Sequence, residues 1–119
     1  MTHPVVWFEV LGKDGSRLQS FYADLFQWKI NADNPKKYGM VEAAAARGIP
    51  GGVGGELPVS LPHPGIAFYV STPDIDKTLE QAKKLGGKVL MPRTEFPGGP
   101  HIAFVADPEG HSIGLVEEN

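Results

Sequence analysis

His3-Pro4-Val5-Val6-Trp7-Phe8-Glu9-Val10 recurs sixty residues later as His63-Pro64-Gly65-Ile66-Ala67-Phe68-Tyr69-Val70, with His, Pro, Phe and Val in the same places. A second match, Trp28-Lys29-Ile30 with Gly87-Lys88-Val89, follows at an offset one residue shorter. A repeat of this length divides the chain into two similar supersecondary units. Between the matched strands each half carries a helical stripe. In the first half Leu18, Phe21, Tyr22 and Leu25 fall at i, i+3, i+4 and i+7, which predicts a helix from Ser16 to Phe26. Either Asp14 or Ser16 is placed to cap it. In the second half Ile75, Leu79, Ala82 and Leu85 form the stripe and Asp74 the cap. Lys83 and Lys84 suit its negative end and Gly86 its left-handed exit.

Strands are expected over 28–32, 38–44 and 48–54 in the first half, and over 88–93, 101–106 and 112–117 in the second. Asp107-Pro108-Glu109-Gly110 is a turn between the last two. The proline-rich stretch 58–62 is the linker, so the expected organisation is one domain with modules at 1–57 and 63–119. The order in each half is βαβββ, and the fold class is α+β.

The bulk properties agree with one globular domain. The chain has 119 residues, 41% hydrophobic and 21% charged, with no cysteine. Fifteen glycines and eleven prolines, about twice the usual share, mark many tight turns. No apolar run reaches the length of a membrane span, and the N-terminus lacks the pattern of a secretory leader. A net charge of −3, with basic runs no longer than Lys36-Lys37 and Lys83-Lys84, argues against nucleic acid as a partner. The absence of cysteine removes disulfides, thiolate metal sites and thiol nucleophiles, and fits a cytoplasmic location.

Two βαβββ modules in this length, with Phe21-Tyr22-Ala23-Asp24-Leu25-Phe26-Gln27-Trp28, Leu85-Gly86-Gly87-Lys88-Val89 and Asp107-Pro108-Glu109-Gly110 in this order, resemble the vicinal oxygen chelate superfamily. That superfamily includes glyoxalase I, bleomycin-resistance proteins and extradiol dioxygenases. The resemblance implies strands curled into a cup, one face lining a pocket and the other packed on the helices. Period-two alternation then sends Val5, Trp7 and Glu9 toward the cup, and Val6, Phe8 and Val10 toward the helix. On the fifth strand Gly65, Ala67 and Tyr69 face the cup while Ile66, Phe68 and Val70 pack. On the last, Ser112, Gly114 and Val116 face it, and family spacing adds Ile102 and Phe104.

The metal ligands of such enzymes carry over to Val5, Gly65 and Gly114, and by module symmetry to Gly52. None of these offers a side-chain donor, so no metal and no cofactor is expected. His3 and His63 occupy equivalent places two residues earlier on the same strand face. They read either as a displaced metal site, completed by Glu9 or a ligand oxygen, or as two strand-entry histidines. Glu9 reads either as a general base or cation anchor raised in pKa by burial, or as a hydrated or paired carboxylate. Buried alone, it is a charge whose removal as Glu9→Gln would stabilise the empty protein.

The expected function is binding of a small organic molecule through Trp7, Glu9, Tyr69, Ile102, Phe104 and Ser112, in a homodimer, with no catalytic residue assigned. Phe26, Trp28 and the strand near Val53 are the candidate dimer contacts. A metal-dependent lyase or dioxygenase working from a displaced site, and a scaffold dimer with a vestigial cup, are the alternatives.

Overall fold

The computed structural model describes residues 2–55, 61–63, 65–96 and 98–117. The chain forms two compact units, one spanning Trp7–Ile66 and the other combining Met1–Val6 with Ala67–Asn119. Most of the expected linker lies outside the described residues.

The first unit holds most of β1 (Val5–Leu11), then α1 (Gly15–Phe26), β2 (Ile30–Asn31), β3 (Gly39–Val41) and β4 (Gly51–Gly54). β2, β3 and β4 pair antiparallel in that order, and β4 runs parallel to β1 with Glu9 beside Gly52. The Asp14 carboxylate starts the helix by accepting the Arg17 N–H at 3.1 Å. Val10, Val41 and Val53 form the core under α1, with Phe8, Leu18, Tyr22, Trp28 and Ile30 around them.

Expected strands here are longer than the observed ones. Trp28 leaves the strand to stack on Tyr22, at 5.3 Å between centroids and 12° between planes, and it also meets Phe8 at 5.2 Å. Aromatic pairs of this geometry add to what the burial of their surface gives. The alanine run at 43–46 likewise lies outside β3, in a turn closed by the Gly48 N–H on the Ala45 carbonyl at 2.9 Å. Phe21 and Leu25 belong to the apolar stripe of α1 yet stay 56% exposed. No residue of α1 is fully buried.

The second unit holds β5 (Ile66–Thr72), α2 (Ile75–Lys84), β6 (Lys88–Glu95), β7 (His101–Ala106) and β8 (Ser112–Glu117). The module logic repeats: β5 runs parallel to β8, and β6, β7 and β8 pair antiparallel. β7 and β8 lie where the sequence places them, joined by a turn in which the Gly110 N–H meets the Asp107 carbonyl at 2.9 Å. Gly110 supplies the positive φ of 90° that turn needs. His111 Nδ1 lies 2.9 Å from the Asp107 carboxylate, within the same turn.

Ile75, Leu79, Ala103, Val105 and Leu115 make the core, with Val70, Ala82, Val89 and Ile113 around it. Leu85 is 69% exposed because the helix ends before it, and Ile66 and Phe68 are exposed because α2 lies chiefly over β6, β7 and β8. The Glu117 carboxylate ties this unit at its end. It accepts the Ile75 N–H at 2.8 Å and the Arg93 guanidinium at 2.8 Å. These bonds, the arginine first and the amide next, pull its pKa down to about 2.

Candidate functional site

The parity of β1 decides where the chemistry lies. Phe8 and Val10 face α1, so Trp7 and Glu9 project from the opposite side of the strand. Glu9 is buried, with 4% of its surface exposed, while Trp7 is half-buried. A carboxylate so deep needs hydrogen-bond donors, and two side chains supply them. The Tyr38 hydroxyl donates to Oε2 at 2.8 Å. On Oε1, His63 Nε2 approaches to 2.7 Å, in the tautomer or charge state that carries a proton there. The Tyr38 oxygen in turn accepts the Trp7 indole N–H at 3.1 Å. The result is one directed network, with Trp7 donating to Tyr38, Tyr38 to Glu9, and His63 to Glu9.

Tyr38 reaches this position only because β4 is glycine there. A Cβ on Gly52 would stand 1.7 Å from the Tyr38 hydroxyl oxygen, and one on Gly54 would stand 3.2 Å from its ring. The phenol therefore lies along a trough that two alternate glycines leave open. Burial first, and the Glu9 charge next, push the Tyr38 pKa above its ordinary value. The hydroxyl remains a donor throughout the physiological range.

The expected site residues divide between the units. Trp7 and Glu9 are brought together, through Tyr38. Tyr69 and Phe104 meet edge to face at 5.4 Å in the other unit, both buried, and Ile102 is buried on the same face of β7 as Phe104. Ser112 opens β8, half-buried opposite Ala106. Tyr69 lies over Gly114 as Tyr38 lies over Gly52, with 2.3 Å between its ring and the Cβ that an alanine would bring.

Sequence reasoning missed Tyr38. The signal for Tyr38 was the glycine pair on β4, where alternate positions carry no side chain. His63 was singled out by the repeat and grouped with Glu9 as one reading, but as a metal ligand or a strand-entry residue; the structure makes it the hydrogen-bond partner of Glu9 instead.

The metal positions of the resembled superfamily do not fit a metal here. Val5 and Gly65 have no donor atom, and at Gly52 and Gly114 tyrosine rings take the space a ligand side chain would need. His3 is exposed and His63 is committed to Glu9. Among the described residues, no three His, Asp or Glu side chains are grouped to hold an ion.

Comparison with known proteins agrees with this architecture. The family model for the Glyoxalase/Bleomycin resistance protein/Dioxygenase superfamily matches residues 5–115. CFP32 of Mycobacterium tuberculosis is 27% identical over 118 residues, covering 95% of this chain, which spans 45% of that relative's length. A glyoxylase-like domain-containing protein of Didymella fabae is 30% identical over 117 residues, covering 90% of this chain and 88% of the relative. A solved superfamily member from Vibrio splendidus superposes with a TM-score of 0.66 at 17% identity, covering 98% of this chain and all of the other.

Proposed function

The chain belongs to the Glyoxalase/Bleomycin resistance protein/Dioxygenase superfamily, and from that premise we propose that it binds a small organic molecule without a metal. Trp7 and Glu9 are the recognition pair, and the preferred ligand carries a positive or hydrogen-bond-donating group. The observation that carries this reading is the buried Glu9 carboxylate, held by Tyr38 and His63 beside a half-buried indole. An apolar site with a few fixed polar groups is the usual plan of a small-molecule pocket. Tyr69, Ile102, Phe104 and Ser112 belong to the other unit and are proposed as contacts there, apart from the Trp7 and Glu9 pair. A divalent-metal lyase or dioxygenase using His3 and His63 has less support, since Glu9 already engages His63.

Benzylamine titrated into protein carrying Trp28→Phe, which leaves Trp7 as the sole indole, tests the reading. Saturable quenching of Trp7 emission is expected. Glu9→Gln should weaken the affinity by roughly tenfold, within the range of about 0.5–2 kcal/mol that a cation gains at an aromatic face. Equal affinity in both proteins would count against it.

The same proposal takes the chain as one functional domain of two modules, cytoplasmic, with no nucleic-acid partner, working as a homodimer. Support for pairing comes from α1, where Phe21, Leu25 and Phe26 all stand more than half exposed. Val53 is fully buried and is removed from the candidate contacts. No helix among the described residues is long and apolar enough to cross a membrane. Sedimentation at tens of micromolar should give twice the mass of the chain, and Phe21→Glu with Leu25→Glu should return it to the monomer. A monomeric parent protein would refute the pairing.

A further inference from the structure

Glu9 is too deep to be the surface a ligand touches. Its side chain is 5% exposed, and each carboxylate oxygen already accepts a hydrogen bond, one from His63 and one from Tyr38. Trp7 is half-buried and therefore has indole surface to offer. Its N–H is not part of that surface, because it is spent on Tyr38 at 3.1 Å. What remains exposed of the indole is carbon surface, and a cation is drawn to the π face of such a ring. The bonds behind it run in one direction toward a carboxylate, and hydrogen bonds in series polarise one another in a low-dielectric interior. Polarisation in that direction would leave the indole richer in electron density, and a richer π face would attract cations more strongly.

We propose that the site recognises a cation lacking N–H donors, of the quaternary ammonium class, through the face of Trp7, with Tyr38 as the positioning residue that couples Glu9 to the indole. The proposal rests on the reading of Trp7 and Glu9 as the recognition pair and replaces direct contact with Glu9 by action through Tyr38. A primary ammonium gains its advantage from donated hydrogen bonds, and both Glu9 oxygens already accept from His63 and Tyr38. A quaternary ammonium loses little hydration and needs only the face.

Three probes of one shape class separate the possibilities: benzyltrimethylammonium, benzylamine and the neutral isostere neopentylbenzene, each titrated against Trp7 emission in the Trp28→Phe protein. Benzyltrimethylammonium is expected to bind at least as tightly as benzylamine, and about tenfold or more tighter than neopentylbenzene. Tyr38→Phe keeps the ring and removes the relay. It should shift the Trp7 indole N–H resonance and lower the cation-to-neutral affinity ratio severalfold, a change that loss of packing alone would not produce. Glu9→Gln should lower the same ratio. Benzylamine binding tenfold tighter than the quaternary probe would overturn this inference while sustaining the recognition pair, because it would mean direct contact with Glu9. Equal binding of the cationic and neutral probes, or a ratio unmoved by Tyr38→Phe, would overturn it as well. No binding by any probe would sink the recognition pair itself.

Discussion

Glu9→Ala is expected to cost about 3–5 kcal/mol of folding stability, the usual penalty for removing one partner of a buried, hydrogen-bonded ionic group. The loss strands two donors at once, the Tyr38 hydroxyl and the buried His63 ring N–H. Glu9→Gln keeps the shape but replaces one acceptor oxygen by an NH2 group. That group must face either the Tyr38 hydroxyl or the His63 ring, so a loss of about 1–3 kcal/mol is expected. The sequence alone argues the opposite sign, since an isolated buried charge is better removed. Two partners reverse it, and urea denaturation of the two variants decides between the signs. A Gln variant more stable than the parent protein would mean that the carboxylate is a net burden.

Gly52→Ala should be nearly as damaging, although it adds a single methyl group to a strand. That methyl would fall 1.7 Å from the Tyr38 oxygen and 2.0 Å from the carbon bearing it. The ring has to leave, and in leaving it breaks the bonds to Trp7 and Glu9 together. Overpacking of this kind costs about 1–3 kcal/mol before the lost hydrogen bonds are counted. Gly99→Ala is the control, because its nearest neighbour would be Phe96 Cβ at 3.6 Å, an ordinary contact. It should leave stability within about 0.5 kcal/mol of the parent. Thermal denaturation followed by Trp7 emission reads both effects. A Gly52→Ala protein that melts with the control would show that Tyr38 is not held over β4.

The parts of this molecule legible in its sequence are those written in local periodicity. Both helices, their aspartate caps and the Asp107–Gly110 turn depend on residues within a turn or two of one another, and all lie where the sequence puts them. The parity of β1 was legible for the same reason, which is how Glu9 and Trp7 come to share a strand face. What periodicity cannot carry is partnership at a distance. Whether Phe68 or Phe8 is covered depends on which strands a helix overlies, and α2 favours β6, β7 and β8. The short β2 reflects competition, with Trp28 better placed against Tyr22 than in a ladder. Tyr38 was hidden because it is a residue of irregular backbone whose meaning comes only from Glu9, and His63, visible through the repeat, took its actual role from that same carboxylate.

The tyrosines over Gly52 and Gly114 also bear on how this chain could change over generations. Acquiring a histidine or glutamate at position 52 requires Tyr38 to give way first, since the two side chains claim one volume. Losing Tyr38 first removes the donor on Glu9 and the acceptor for Trp7. Each order passes through a destabilised intermediate, and at position 114 the Tyr69 ring likewise claims the volume of a new side chain. Single substitution is thus a costly route to a ligand at position 52. A library that samples positions 38 and 52 as a pair would find solutions that stepwise selection would not reach.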